Sequence, residues 1–361
     1  MNEGELQNIE YHRKVHCSIA TAARSLISLG RQLGYFVSPS HQQSACLGTD
    51  NEIPKEHDNA VLDKAMHHHE HETASLVSLN GEIYILPSMS SFLNSDATKL
   101  QPVIEHVRSS RPFDLIVIDP PWYNKSAKRK RMYSFMSLWQ IKALPVPELI
   151  APGGLLAVWV TNKAKYIRFT RSELLPSWGV DVIAEWHWIK VTKTGEYVVG
   201  MESAHKKPYE TLIIGRCNKQ ISHQARQQEG DSLHLDSTAK PIEYATRNYG
   251  ESLPILPGAS IDGGVKQVPE HQVICSVPCL KHSRKPPLGD VFKDFLPRHP
   301  HCLEMFARNL TPGWTSWGNQ VLKFQHIGHF EQLDRETPSC SGNTTSTRPS
   351  MEKADKPEVE P

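Results

Sequence analysis

The sequence predicts an α/β protein with a doubly wound sheet. Short runs of apolar, often β-branched residues recur over about 250 residues, and several are continuously apolar, as expected of strands covered on both faces. Helical patterns lie between some of these runs, so strands and helices alternate along the chain. The predicted strands cover residues 83–86, 115–118, 155–160, 182–188, 211–214, 273–276 and 302–306.

The chain before these strands divides into two parts. Residues 15–36 place apolar side chains three and four positions apart, which predicts that residues 1–36 form an N-terminal helical segment. Residues 37–75 are polar and lack periodicity, and they include a histidine-rich tract at 67–72. We interpret this stretch as a flexible, solvated linker, in which the histidines bind metal only adventitiously.

The predicted α/β domain covers residues 76–330. Within it, Asn162 is a predicted helix N-cap, and Pro286-Pro287 is predicted to open a second helix. Residues 218–270 are polar, with glycine and proline, and indicate an insertion or long loop. The last segment, 331–361, has seven acidic and four basic side chains with little aliphatic content, so we expect a disordered acidic tail.

Composition excludes a membrane-spanning protein and leaves nucleic acid open as a partner. The 361 residues carry 40 Lys+Arg and 39 Asp+Glu. Their longest strongly apolar run, 155–160, is far short of the roughly 18 residues that a membrane span needs. No apolar leader follows Met1, so a soluble intracellular protein is expected. Residues 111–216 nevertheless hold 16 basic and 9 acidic side chains, so the near-neutral total averages a basic region with acidic flanks.

The cysteines indicate a reducing compartment. There are seven of them, an odd number, and they are scattered along the chain. Cys275, Cys279 and His282 are a conceivable metal site, but the first spacing is wrong and no second ligand pair follows. We therefore predict core thiols and no metal.

The most informative motif is Asp119-Pro120-Pro121-Trp122, which directly follows the apolar strand pattern of residues 113–118. Ligands in open α/β sheets bind at the carboxyl ends of strands, so Asp119 is expected to project into a site. The prolines stiffen the turn and lack N–H groups, which leaves carbonyls able to accept hydrogen bonds. The alternative is a buried strand ending in a Pro-Pro turn, with Asp119 capping a helix.

This motif suits chemistry on an exocyclic aromatic amine, whose lone pair is delocalised into the ring. The Asp119 carboxylate and the Pro120 carbonyl are two acceptors that can hold the two N–H bonds and orient the lone pair toward an electrophile. Trp122 is expected to stack on the base. A target adenine has to be single-stranded or flipped out of a duplex.

The motif and its surroundings resemble the eukaryotic N6-adenosine methyltransferases, relatives of the writer of N6-methyladenosine in messenger RNA. The resemblance covers residues 83–330 and includes the segments 159–162, 184–188, 205–210, 303–309 and 317–320. Its details are closest to the branch called methyltransferase-like protein four. That branch implies methylation of 2′-O-methyladenosine in small nuclear RNA, with DNA adenine as an alternative substrate.

The resemblance also implies a Rossmann-like fold with permuted motif order and S-adenosyl-L-methionine as methyl donor. Asp96 would meet the cofactor's adenine, Lys285 its methionine carboxylate and Asp119 its amino group. The ribose and nearby groups would be held by Arg308, Asn309, Asn319 and Gln320. Each has a plainer alternative: Lys285 as a solvated helix-entry residue, Ser95-Asp96 as a helix N-cap, and Asn319-Gln320 as turn residues.

Two basic clusters are predicted to contact nucleic acid. The first follows the motif directly and consists of Lys125, Lys128, Arg129, Lys130 and Arg131; the second is Lys206-Lys207. The first could instead be a nuclear-import signal, or a solvated loop. We expect a nuclear protein, with the cytosol as a further location, whose partner is RNA or, alternatively, DNA. A non-catalytic RNA-binding subunit is the remaining alternative, and protein partners stay unknown.

Overall fold

A computed structural model describes residues 3–37, 64–96, 99–123, 135–203, 206–218, 265–279 and 284–330. The basic cluster at 125–131, most of the predicted insertion, His282 and the acidic tail lie outside these residues. Within them, no helix combines the length and apolar character needed to cross a membrane.

The described residues form a nine-stranded sheet with the order β1-β4-β11-β10-β5-β6-β8-β7-β9, and a separate hairpin of β2 and β3. The strands are β1 His67–His69, β2 Ser75–Leu79, β3 Glu82–Leu86, β4 Ser90–Asn94, β5 Phe113–Ile118, β6 Ile150–Val160, β7 Val180–Lys190, β8 Tyr209–Cys217, β9 Val273–Ser276, β10 Cys302–Met305 and β11 Thr315–Gly318.

The helices connect these strands or cover the sheet. They are α1 Glu3–Gln32, α2 Gln101–Ser109, α3 Leu138–Lys142, α4 Val146–Leu149, α5 Ala164–Phe169, α6 Leu175–Ser177 and α7 Gly289–Phe292. A π-helical turn, Thr170–Leu174, joins α5 to α6, and short 3₁₀ turns cover Lys293–Phe295, Lys323–Gln325 and Ile327–His329.

Strand direction determines where side chains gather. The neighbours β4, β11, β10, β5 and β6 are parallel, whereas β8 runs antiparallel to β6 and β7. The carboxyl ends of the five parallel strands and of β7 therefore meet the start of β8 at one side of the sheet, which we call the carboxyl edge. Ligand sites of open α/β sheets lie at this position.

Both faces of the sheet are covered, which confirms the predicted α/β class. On β5, Ile116 and Ile118 belong to one apolar core, whereas Leu115 and Val117 belong to another. All four side chains are at most 4% exposed. Strand side chains alternate between faces, so a strand buried on both sides has to be continuously apolar, as residues 115–118 are.

The N-terminal helix is part of this fold. Ile19, Ala23 and Ile27 of α1 pack in one buried cluster with Ile189 of β7 and Tyr209 of β8. The pattern of residues 15–36 predicted the helix, although α1 begins earlier, at Glu3.

The prediction of a loose linker is wrong for its described part. His67–His69 pair antiparallel with β4 and extend the large sheet, and His69 is 6% exposed. His67 stacks on Phe92, with ring centroids 5.0 Å apart. The large sheet therefore includes residues that precede residue 76, the predicted start of the domain. The edge of β4 is open to pairing, and an extended segment can add to it.

Candidate active site

Asp119 directly follows β5 at the carboxyl edge and forms a buried ion pair. The Nζ atom of Lys285 lies 3.0 Å from Oδ2 of Asp119 and 3.1 Å from Oε2 of Glu210. The Lys285 side chain is only 13% exposed. One ammonium thus joins two carboxylates from β5 and β8, strands that are not neighbours in the sheet.

Lys190 extends this cluster, because its ammonium contacts Oε1 of Glu210. Desolvation raises the pKa of Glu210, but the charges of Lys285 and Lys190 outweigh it and lower that pKa to about 2. Burial lowers the pKa of Lys285, but Asp119 and Glu210 outweigh it and raise that pKa well above its usual range. Glu210 and Lys285 therefore stay ionised near neutral pH, and the cluster pairs two lysines with two carboxylates.

The turn after Asp119 is held by its own hydrogen bonds. The Trp122 amide donates to the Pro120 carbonyl at 2.7 Å, and the Met136 amide donates to the Pro121 carbonyl at 3.1 Å. The Pro120 oxygen is therefore already engaged, contrary to the expectation of a free carbonyl. A carbonyl has a second lone pair, however, and can accept one further bond.

The expectation that Trp122 stacks on a base is wrong for this structure. Its side chain is 5% exposed, and its Nε1 donates to the carbonyl of Trp159 at 2.8 Å. The indole also packs against Tyr166, with ring centroids 5.0 Å apart. Trp122 thus braces the turn that carries Asp119, Pro120 and Pro121 from behind.

A cavity of about 290 Å³ opens on one side of Asp119. Its lining includes residues that follow four different strands: Asp96 after β4, Asp119 after β5, Arg308 after β10, and Asn319 and Gln320 after β11. Five of the predicted cofactor-binding residues therefore line the same cavity. The carboxylates, amides and guanidinium offer both donors and acceptors to a polar ligand.

A second cavity, also of about 290 Å³, lies on the Lys285 side of the ion pair. It is lined by Lys285, Asn309, Glu304 and the indoles of Trp159 and Trp188, among others. Burial, and then the neighbouring charge of Asp119, raise the pKa of Glu304 to about 7. Because Lys285 is ion-paired with Asp119, the pair stands at the boundary between the two cavities.

The backbone around the first cavity is closely fitted. Phe306 has a φ of +63°, an uncommon conformation for a non-glycine residue, where the chain leaves β10. A Cβ atom on Gly318 would lie 2.6 Å from the carbonyl oxygen of Ala307. Glycine at 318 therefore lets the segment 306–309 pass close to the end of β11.

Two helix N-caps considered from the sequence do not match the structure. Ser95-Asp96 does not cap a helix, because α2 begins at Gln101 with Leu100 at the N-cap. Asn162 is not the cap of α5 either: Lys163 holds that position, and the Asn162 side chain contacts the backbone carbonyl of Tyr209 instead.

Of the predicted nucleic-acid contacts, Lys206 and Lys207 are described. Lys206 is exposed, whereas Lys207 is half-buried and donates from Nζ to the Met201 carbonyl at 3.1 Å. Lys207 is thus already engaged in holding its own loop. Among the described residues, no group of three or more His, Cys, Asp or Glu side chains is placed to hold a metal ion.

Sequence reasoning missed Lys190 and Glu304. Lys190 ends the apolar strand β7, and Glu304 interrupts the apolar residues of β10, so each is a charged side chain within a buried strand. Charged groups are rarely buried without a partner or a function, and this was the available signal.

Comparison with known proteins places these features in a family. The family model described as MT-A70 matches residues 113–243 and 257–320. A Homo sapiens protein, "N(6)-adenine-specific methyltransferase METTL4", is 40% identical over 91% of this chain and 69% of its own length. "N6-methyladenosine RNA methyltransferase MTA1" of Pyricularia oryzae is 34% identical over 64% of this chain and 53% of its own. "DNA N6-methyl methyltransferase" of Caenorhabditis elegans is 29% identical over 69% and 56%.

Proposed function

The chain belongs to the MT-A70 family, and from that premise we propose that it uses S-adenosyl-L-methionine to methylate the N6 amine of adenosine in RNA. The family and the named relatives establish the coarser statement, an N6-adenine methyltransferase. The observation that supports a methyl donor and an acceptor base at one site is the Asp119–Lys285 ion pair between two cavities. One carboxylate at that boundary can face a methyl donor and an acceptor base together.

The residues around the ion pair fit the proposed cofactor. S-adenosyl-L-methionine carries a carboxylate, an ammonium, a ribose and an adenine, and each needs a polar partner. Lys285 would hold the carboxylate, Asp119 the ammonium and Asp96 the adenine amine. The ribose and nearby groups would be held by the remaining polar side chains. These are Arg308, Asn319 and Gln320, which line the Asp119 cavity, and Asn309, which lines the other cavity.

When bound, the cofactor would supply an electrophilic methyl group. The chain's own contribution is to position the adenine amine. The Asp119 carboxylate and the second lone pair of the Pro120 carbonyl would accept its two N–H bonds, which directs the nitrogen lone pair outward and stabilises the positive charge that develops there. Trp122 keeps both acceptors in place through its bond to Trp159.

As the RNA substrate we propose 2′-O-methyladenosine in small nuclear RNA, and a nuclear location. The net positive charge of residues 111–216 supports a polyanionic partner. A relative named as an RNA methyltransferase supports RNA. DNA is the second candidate, because another relative is named as a DNA N6-methyl methyltransferase.

The test is transfer of labelled methyl from S-adenosyl-L-methionine to three single-stranded oligonucleotides of one sequence. Each contains one adenosine, which is ribo, 2′-O-methylribo or deoxyribo. We expect the full chain to methylate the 2′-O-methyl form best. Asp119→Asn should reduce transfer by about 100-fold or more, the loss typical for removing one preorganised polar group.

Asp290→Asn is the matched control, because Asp290 is 99% exposed on α7. Equal activity of Asp119→Asn and wild type would overturn the mechanism. A preference for the deoxyribo form would replace RNA by DNA. No transfer by a folded chain that binds the cofactor would favour a non-catalytic subunit.

A further inference from the structure

Two lysines at the start of α5 lie beside the catalytic turn. The Nζ atom of Lys165 is 4.6 Å from the ring centroid of Tyr166, and that of Lys163 is 5.8 Å away. Tyr166 in turn packs its buried ring against Trp122. Both ammonium groups are therefore held one aromatic ring away from the motif Asp119-Pro120-Pro121-Trp122.

Tyr166 is a rigid support for these charges. Its side chain is 2% exposed, and its hydroxyl donates to the carbonyl of Tyr123 at 3.0 Å. Because the ring cannot move without disturbing Trp122, it offers the two ammonium groups a fixed aromatic surface before any ligand arrives. A preorganised cation binds an anion with a smaller entropic cost.

The position of the two charges is unfavourable for the helix itself. Lys163 is the N-cap residue of α5, and Lys165 is the second residue of the helix, whose first turn has no acidic side chain. Positive charges repel the positive end of a helix dipole. Among the described residues, no carboxylate lies within ion-pair distance of the exposed Lys165. No ion pair among the described residues explains the position of Lys165, whereas an external anion would.

We propose that Lys163 and Lys165 contact the phosphates of the single strand that flanks the target adenosine. This inference rests on the proposed function. A target base has to leave its stack to reach Asp119, so its neighbouring phosphates are drawn to the surface around the catalytic turn. Cations beside aromatic rings are the usual means of holding a single strand there. The anion is thus the nucleic-acid backbone, held independently of its base sequence.

The experiment measures binding of the full chain to a fluorescent single-stranded RNA by anisotropy at several salt concentrations. Lys163→Met/Lys165→Met removes both charges and keeps unbranched stems against Tyr166. We expect weaker binding, and a salt dependence of log K that is less steep by about 0.7 for each phosphate that is no longer neutralised. A uridine-only RNA should show the same decrease in affinity, and cofactor affinity measured by calorimetry should not change.

Lys266→Met/Lys293→Met is the matched control, because both lysines are more than two-thirds exposed and lie near Asp290 and Asp294. Lys163→Arg/Lys165→Arg keeps both charges and should retain wild-type affinity, and the unchanged cofactor affinity of the methionine variant excludes misfolding as the cause of weaker binding. If the methionine variant at 163 and 165 behaves like the control while wild type methylates RNA, the inference fails and the proposed function stands. If wild type transfers no methyl group but the variant still weakens RNA binding, the proposed function fails, whereas the contact of these lysines with RNA phosphates is supported.

Discussion

The hydroxyl of Tyr11, on the first helix, donates a hydrogen bond of 2.8 Å to Oε1 of Glu185 on β7. The same hydroxyl lies 3.1 Å from Oγ1 of Thr211 on β8, and Arg171 pairs with the other Glu185 oxygen at 2.7 Å. These contacts lie on the side of β8 that carries Tyr209 and Thr211, whereas Glu210 between them is ion-paired with Lys285. Helix α1 therefore supports, from behind, the strand that supplies Glu210.

The first prediction concerns this support. Tyr11→Phe removes one hydrogen bond to a buried carboxylate and keeps the ring, so the free energy of unfolding should fall by about 1.5–3 kcal/mol. Urea denaturation followed by circular dichroism measures it. Ser25→Ala, on an exposed part of α1, is the control and should change stability by less than about 0.5 kcal/mol. Equal stability of the two variants would mean that α1 contributes only apolar packing.

The second prediction concerns the charge balance at the ion pair. Lys285→Met leaves Asp119 and Glu210 facing each other without the ammonium between them. Removing one partner from a buried pair typically costs about 3–5 kcal/mol. We expect a lower melting temperature and a cofactor affinity at least tenfold weaker, measured by calorimetry. Lys293→Met, at an exposed lysine, should alter neither quantity; an unchanged cofactor affinity in Lys285→Met would remove Lys285 from the cofactor site.

The third prediction concerns pH. Burial lowers the pKa of His187 from its ordinary 6.5 to about 4, with Glu185 opposing the shift only in part. Between these values the unfolded state binds more protons than the folded state. The contribution of His187 to the free energy of unfolding is therefore fully present above pH 6.5 and is lost as the pH falls toward 4. The contribution is at most about 1.4 kcal/mol per pH unit. His187→Gln should flatten the dependence of unfolding free energy on pH in that window, and parallel curves for both proteins would contradict the prediction.

The fourth prediction concerns Gly318. Alanine there would place Cβ 2.6 Å from the Ala307 oxygen, so the segment 306–309 would have to shift. We expect weaker cofactor binding and a lower melting temperature. Gly200→Ala is the matched control, because no atom lies within 4 Å of a Cβ added at that position. Similar effects of the two substitutions would show that close approach at Gly318 is unimportant.

Sequence periodicity predicted the strands that are rich in apolar residues and missed strands that are rich in polar ones. Residues 155–160 were found, because burial on both faces produces a strong local signal. The strands β4 and β11 have the sequences SSFLN and TSWG, in which serine, threonine and asparagine hide the pattern. They are strands because neighbouring strands offer hydrogen bonds on both sides, which is tertiary information.

The candidate site was predicted only in part, for a similar reason. The resemblance located Asp119 and Lys285, 166 positions apart, but not their 3.0 Å contact. Glu210 lies within the segment 205–210 that carries the resemblance, although its charge partner Lys190 does not. The burial of Trp122 was not predictable, because it depends on Tyr166 and on the carbonyl of Trp159. The family assignment itself is confirmed by the comparisons.

The order of strands in the sheet has a consequence for synthesis of the chain. The strands β10 and β11 lie between β4 and β5, yet the ribosome makes them more than 180 residues after β5 begins. A nascent chain that ends before Cys302 lacks β10, the strand that pairs with the edge of β5 opposite β6. The gap closes only when the final strands insert edge to edge, and the same event brings Arg308 and Asn319 beside Asp119. Completion of the sheet and assembly of the cavity beside Asp119 are therefore a single, late step of vectorial folding.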